Sequence, residues 1–259
     1  DKTRHDLMSA YLGKEDDDDC RLPTATYPRL TFAPRSGAPQ VISLRQPEDE
    51  DYSLQLTWLN RDLPTMVEIL REELHRAESV CAAVICNRVD RAQEVFEILD
   101  KEFGAQAEVI LFHARTPFLW REQTEKDVLQ KFGPPDGPNV NRPRKAIVVA
   151  TQVIEQSLDL DFDVMLTDLA PIDLLLQRAG RLHRHDRGAR GLPRRLFILQ
   201  PDSHESGLPD FGKDKYVYAP ATLLATWFAL RQHEAVQLPG ATSELIEQVY
   251  DDAKQLPSL

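Results

Sequence analysis

The stretch VATQVIEQSLDLDFDVMLTDLAPIDLLLQRAGRLHRHDR, Val149 to Arg187, decides how this chain is read. It opens on the end of an apolar run, Lys145 to Ala150 (KAIVVA), and turns polar at Thr151-Gln152. It becomes apolar again over Asp163 to Thr167 (DVMLT). Short runs almost free of polar residues suit parallel strands covered on both faces. Ile172 to Arg181 then reads as a helix, so the segment runs strand, polar turn, strand, helix.

The same alternation extends in both directions. Upstream, Pro64 opens a helix whose Met66, Ile69, Leu70 and Leu74 recur at helical spacing. Val80 to Cys86 (VCAAVIC) reads as a buried strand and Val89 to Phe103 as a helix. Glu108 to Phe112 reads as a strand, and Phe118 to Phe132 as a helix closed by Gly133-Pro134. Downstream, Leu196 to Leu199 reads as a strand. Strands alternating with helices imply an α/β fold, a parallel β-sheet flanked by helices. Ligands of such sheets sit beyond the carboxyl ends of the strands. There the sequence places Asn87-Arg88, His113-Ala114-Arg115-Thr116, Thr151-Gln152 and Asp168.

The flanks are less regular. Residues 1–62 read as an irregular lead-in, with a short helix at Thr3 to Leu12, strands at Leu30 to Phe32 and Ser53 to Trp58, and acidic, proline-rich loop between. Residues 63–202 form the sheet domain. Residues 203–259 read as a helical extension, with Leu223, Leu224, Trp227, Phe228 and Leu230 on one helix and Leu245, Ile246 and Val249 on another. The chain begins abruptly, as a fragment would.

Composition narrows the class. The 259 residues are 42% hydrophobic and 28% charged, as in a globular protein, and no apolar run reaches the ~20 residues of a membrane span. No signal peptide is visible, so the expected compartment is the cytoplasm, with Cys20, Cys81 and Cys86 as reduced thiols. Cys81 and Cys86 are an odd number of residues apart, which puts them on opposite faces of a strand. The net charge of −11 argues against a nucleic-acid partner, but it is unevenly spread. Arg178, Arg181, Arg184, Arg187, Arg190, Arg194 and Arg195 face a single acid, Asp186, and such a local patch can bind phosphates. The bland alternative for Arg187 to Arg195 is a solvated loop.

Two motifs carry the chemistry. The first is Ala150-Thr151 followed by Ser157-Leu158-Asp159; the second is Gln177-Arg178-Ala179-Gly180-Arg181-Leu182-His183-Arg184. On a continuous helix Arg181 and Arg184, three residues apart, share a face. Gly180 would let a ligand approach the backbone closely. Two guanidinium groups at the ligand edge suit a triphosphate, whose oxygens each can bridge. Arg178, offset from both, is expected in a structural ion pair.

This stretch resembles motifs V and VI of the superfamily 2 helicases, and most of all the second RecA-like lobe of the CRISPR-associated helicase-nucleases of type I systems. VICNRVDRAQEVFEIL (Val84 to Leu99) resembles motif IV, and LFHARTPFLWREQTEKDVLQKFG (Leu111 to Gly133) the strand–helix unit after it. The resemblance implies that Arg181 and Arg184 are arginine fingers toward ATP. It implies that Gln177, Gly180 and Asp159 lie at the nucleotide, and Thr151, Asn87 and Arg115 on single-stranded DNA. It further implies a first RecA-like lobe, a nuclease domain and an RNA-guided surveillance complex as partners.

The chain also departs from a complete motor. It has no G-x-x-x-x-G-K-[ST] loop, and Asp49-Glu50-Asp51 follows Gln46-Pro47-Glu48 rather than an apolar strand. Mg²⁺ would therefore be held mainly by a first lobe outside this stretch, and the chain alone is expected to be inactive. His185-Asp186 is read as loop, since one such pair cannot build a metal site. The rival readings are a standalone, non-catalytic nucleic-acid-binding or docking module derived from a helicase lobe, and an RNA helicase lobe.

Overall fold

The computed structural model describes residues 2–13, 29–34, 38–44, 51–115, 118–135, 141–155, 158–203 and 207–250. Cys20, Thr116, Ser157 and the Asp16 to Asp19 run lie outside them. The chain divides into two units, Asp1–Asp51 and Tyr52–Leu259. The first holds helix α1 (Lys2–Leu12) and an antiparallel pair, β1 (Arg29–Phe32) with β2 (Gln40–Ser43), joined from Arg29↔Ser43 to Phe32↔Gln40. Strand β2 falls in sequence expected to be loop.

The second unit begins with a strand, β3 (Tyr52–Asn60). Asp62 then starts α2 (Leu63–His75): its carboxylate accepts from the Thr65 amide at 2.8 Å and from the Thr65 hydroxyl at 2.9 Å, satisfying donors that a helix start leaves free. The expected alternation follows as β4 (Val80–Ile85), α3 (Val89–Phe103), β5 (Glu108–Phe112), α4 (Phe118–Phe132), β6 (Lys145–Ala150), β7 (Val164–Asp168), α5 (Ile172–Ala179) and β8 (Arg195–Gln200). The chain closes with the small pair β9 (Asp202–Ser203) and β10 (Pro209–Asp210), then α6 (Pro220–Leu230), β11 (Ala235–Leu238) and α7 (Thr242–Tyr250).

Seven of these strands make one sheet in the order β11-β3-β8-β7-β4-β6-β5. Every pairing from β3 to β5 is parallel, and β11 lies antiparallel on the β3 edge. This is the RecA-like parallel sheet flanked by helices. Its faces are separate cores. Cys81, Ala83 and Ile85 point to the side carrying Val128 and Phe132 of α4, Leu175 of α5 and Trp227 of α6. Val80, Ala82, Val84 and Cys86 point to the side carrying Met66 and Leu70 of α2 and Val95 and Leu99 of α3. Cys81 and Cys86 are thus on opposite faces, both buried free thiols.

Two expected boundaries differ in the structure. Tyr52–Asn60, assigned to the 1–62 lead-in, lies inside the main sheet, because its alternating Leu54 and Leu56 are buried there. The 203–259 extension is not purely helical: Val236 and Leu238 bury one face of β11 against the same core. Among the described residues no helix is long and apolar enough to cross a membrane.

Candidate functional site

All six parallel strands end at one edge, which therefore collects Arg61 after β3, Asn87 after β4, His113 after β5, Thr151 after β6 and Asp168 at the end of β7. Helix α5 stops at Ala179, with Gly180 as its C-cap, and does not continue through Arg181. The chain is pulled out of the helix by Phe162: its amide donates to the Arg181 carbonyl at 2.8 Å, and its carbonyl accepts from His183 at 2.9 Å. His183 has a φ of 48°, the left-handed conformation that ends the turn. Arg181 and Arg184 therefore lie on a turn, not on one helix face, but the turn keeps both at the same corner. Gly180 itself has a φ of −63°, and an added Cβ would come no closer than 3.4 Å to a protein atom. No close packing inside the lobe demands a glycine there.

The basic run is neither a free phosphate patch nor a solvated loop. Arg178, fully buried, pairs with Glu155 at 2.6 Å and donates to the Thr167 hydroxyl at 2.6 Å, the structural ion pair expected of it. Arg187 and Arg190 converge on the buried carboxylate of Asp161, and Arg190 also reaches Asp163 at 2.7 Å. Arg142 adds a contact to Asp163 at 2.8 Å. Arg194 stacks 3.8 Å over the Tyr52 ring, and Arg195 pairs with Glu73 at 2.7 Å. Arg184 pairs with Asp159, where both side chains are exposed, and His185 Nε2 stands 3.3 Å from the same carboxylate.

Arg181 is the exception. It has no carboxylate partner among the described residues; its one contact is a long 3.4 Å bond to the Glu155 carbonyl. Its Nε is buried and unbonded. Burial, and then the charge of Arg184, pull its guanidinium below the ordinary value, against a smaller opposing pull from Asp159. A cation held this way is short of an anionic partner.

At the carboxyl edge, the far end of β7 from the arginine turn, lies a buried polar network. Asp168, fully buried, binds Arg61 at 3.0 Å, Arg91 at 3.2 Å and the Asn87 amide at 2.9 Å. Burial raises its pKa, but Arg61 and Arg91 outweigh that and hold the carboxyl below its usual range. Asn87 donates to Asp214 at 3.0 Å and to the Leu169 carbonyl at 2.8 Å. Gln152 donates to the Asn87 carbonyl at 2.8 Å and to the Tyr218 hydroxyl at 3.2 Å.

Residues 78–187 match the family described as CRISPR-associated nuclease/helicase Cas3, C-terminal. The chain is 46% identical over 161 residues to the CRISPR-associated endonuclease/helicase Cas3 of Thermus thermophilus, covering 60% of this chain and 16% of that protein. It is 34% identical over 245 residues to the Escherichia coli Cas3, covering 89% of this chain and 26% of that protein. The crystal structure of T. fusca Cas3-ADP superposes with a TM-score of 0.80 at 30% identity, over 95% of this chain and 30% of that one. The chain carries the second RecA-like lobe of a Cas3-family superfamily 2 helicase. A structure described as "CRISPR RNA-guided surveillance complex, pre-nicking" contains a similar lobe, with a TM-score of 0.79 at 29% identity over 97% of this chain and 33% of that one. The lobe is thus about a quarter or less of the two curated relatives' length.

Within this Cas3-type lobe the expected residues fall into two groups. Asp159, Gly180, Arg181 and Arg184 meet at the α5 corner, with Gln177 exposed on α5 itself. Asn87 and Thr151 sit at the ends of β4 and β6, but both are buried, with Asn87 hydrogen-bonded on all sides. Arg115 is exposed past β5. Sequence reasoning missed Arg61, Glu155, Asp214 and Tyr218. Only Asp168, an acid directly ending an apolar strand, offered a signal for the network. Among the described residues no group of three or more His, Cys, Asp or Glu could hold a metal.

Proposed function

We propose that this lobe forms one wall of the ATP site of a single-stranded-DNA translocase in type I CRISPR interference. The observation that carries the reading is Arg181: a half-buried guanidinium with an unbonded Nε, beside Arg184 on the turn after α5, whose backbone pairs with Phe162 just ahead of β7. The residues present fit a nucleoside triphosphate. Arg181 and Arg184 would hold its terminal phosphate, Gln177 and Gly180 line the approach, and Asp159 meets the ribose or relays the nucleotide state to the strand. ATP supplies the phosphoryl group whose hydrolysis drives movement. The arginines neutralise charge that builds up on it. Arg184 must first leave Asp159, an exposed pair that costs little to break. The phosphate loop and most Mg²⁺ contacts belong to a first lobe.

Thr151, Asn87 and Arg115 mark the DNA side, where such lobes grip a strand mainly through phosphates. Asn87 and Thr151 act there chiefly by fixing the backbone of their loops, and Arg115 by direct contact. The intact protein would also carry a nuclease domain, work in the cytoplasm and be recruited by an RNA-guided surveillance complex, as the similar lobe in that assembly suggests.

The test is ATP turnover by the intact helicase-nuclease. Arg181→Ala and Arg184→Ala should each lower it by roughly 10³-fold or more. Unchanged turnover would remove that arginine from the site. The 259-residue chain alone should not hydrolyse ATP; Mg²⁺-dependent turnover by it, abolished by Arg181→Ala, would overturn the two-lobe reading.

A further inference from the structure

The short turn Gly212–Tyr216 was assigned no role by the sequence, yet it stands on the same edge as Asn87. Its middle is anchored. Asp214 is buried and accepts from Arg61 at 2.6 Å and Asn87 at 3.0 Å. Two residues beyond Tyr216, the Tyr218 hydroxyl is held by Gln152 at 3.2 Å and Arg178 at 3.4 Å. Between these anchors Tyr216 is 81% exposed, an aromatic ring with no place in either core. Lys213 and Lys215 flank it, both exposed, and the Lys215 ammonium lies 5.5 Å from the ring centroid. Arg88 approaches Asp214 at 3.5 Å from the loop after β4 and adds a third cation.

We propose that this turn, with Arg88, is a second single-stranded-DNA contact of the lobe, in which a base stacks on Tyr216 and Lys213, Lys215 and Arg88 hold the flanking phosphates. The proposal rests on the reading of this edge as the DNA side. A rigid exposed aromatic amid lysines is the combination that binds a strand without reading its sequence. The chain as a whole carries −11 and repels a polyanion at long range, so a strand would need a local cationic, aromatic spot of this kind to be held. Opposing charge is limited. Asp90 pairs with Arg88 at 2.9 Å, so Arg88 has to exchange that partner for a phosphate, and Asp210 accepts from the Gly212 amide at 2.8 Å. The anchoring matters because a stacking ring on a loose loop loses affinity to ordering entropy.

The experiment is fluorescence anisotropy of a labelled oligothymidylate, intact or with abasic sites, titrated with the 259-residue chain at several salt concentrations. Tyr216→Ala should weaken binding of the intact strand about tenfold, and Tyr216→Phe should restore it. On the abasic strand the two variants should bind alike. Lys213→Ala and Lys215→Ala should weaken both strands equally and reduce the salt slope by roughly 0.7 each. Wild-type binding that Tyr216→Ala leaves unchanged would overturn this contact while leaving the DNA reading of the edge intact. No strand binding by the wild-type chain would overturn both. If Tyr216→Ala instead abolished capture by the surveillance complex with strand binding preserved, the turn would be a protein-docking surface, and the proposal would fall.

Discussion

At the scale of single residues, the lobe separates arginines that hold it together from one kept in reserve. Arg178, Arg187 and Arg190 are each spent on buried carboxylates, and Arg181 is not. Gly180 belongs to the same distinction. Its backbone is ordinary right-handed helix, so Gly180→Ala should leave the melting temperature unchanged or raise it, since alanine loses less entropy on folding. If a nucleotide passes over that backbone, the same variant in the intact protein should lower ATP turnover by about tenfold or more. Equal turnover would mean that Gly180 is only a helix cap. His183 gives a pH test. Burial depresses its pKa, with Arg190 adding to this, and the Asp163 carbonyl bonded at 3.0 Å opposes it. The unfolded chain therefore takes up a proton near pH 6.5 that the folded chain refuses, so this stability is complete above about 6.5 and is lost as pH falls. His113 shifts the same way. Thermal unfolding between pH 7.5 and 5.5 should show a falling melting temperature, with a shallower fall in His183→Asn, a residue that also tolerates the left-handed backbone.

At the scale of elements, the loop between α5 and β8 is stapled rather than solvated. Asp161 is fully buried beneath Arg187 and Arg190, with Arg142 at 3.7 Å. Those contacts outweigh the effect of burial and hold its carboxyl low. Asp161→Ala would strand these cations in a partly buried site and should cost about 3–5 kcal/mol in urea unfolding. A loss under 1 kcal/mol would mean the loop is held otherwise. This staple was hidden in the sequence because its carboxylates and arginines are some 20 to 30 residues apart, and net charge counts them without pairing them. The strands were easier. β4, β6 and β7 have almost no polar residue to mislead, and their bounds come within a residue or so of expectation. The four residues of β11 are too few for periodicity to register, and the end of α5 was read through its own stop signal, Gly180. The arginine pair was legible as sequence; its seat on a turn depends on a bridge to Phe162, 20 residues away from Leu182.

At the scale of the whole molecule, the decisive strand is β3. Sequence assigns it to the lead-in, since Ser53 to Trp58 alternates only in part and its partner β8 lies about 140 residues downstream. In the sheet it separates β8 from β11 and carries Arg61 to the carboxyl edge, where Arg61 binds both Asp168 of β7 and Asp214. Removing it would bare the β8 edge, unseat β11, and leave two carboxylates short of a shared cation. An uncovered inner strand edge is also a template for aggregation. A chain of residues 52–259 should therefore unfold as one cooperative transition, near the melting temperature of the full 259 residues. A chain of residues 63–259, cut where sequence alone would cut it, should melt at least 10 °C lower or elute as aggregate in size-exclusion chromatography. Equal melting of the two would mean that β3 is an attachment to the lobe and that Arg61 is dispensable to its edge. The opposite result would place the start of the lobe at Tyr52, and would make the strand from the lead-in part of the frame that positions Asp168 and the Gly212–Tyr216 turn at the carboxyl edge.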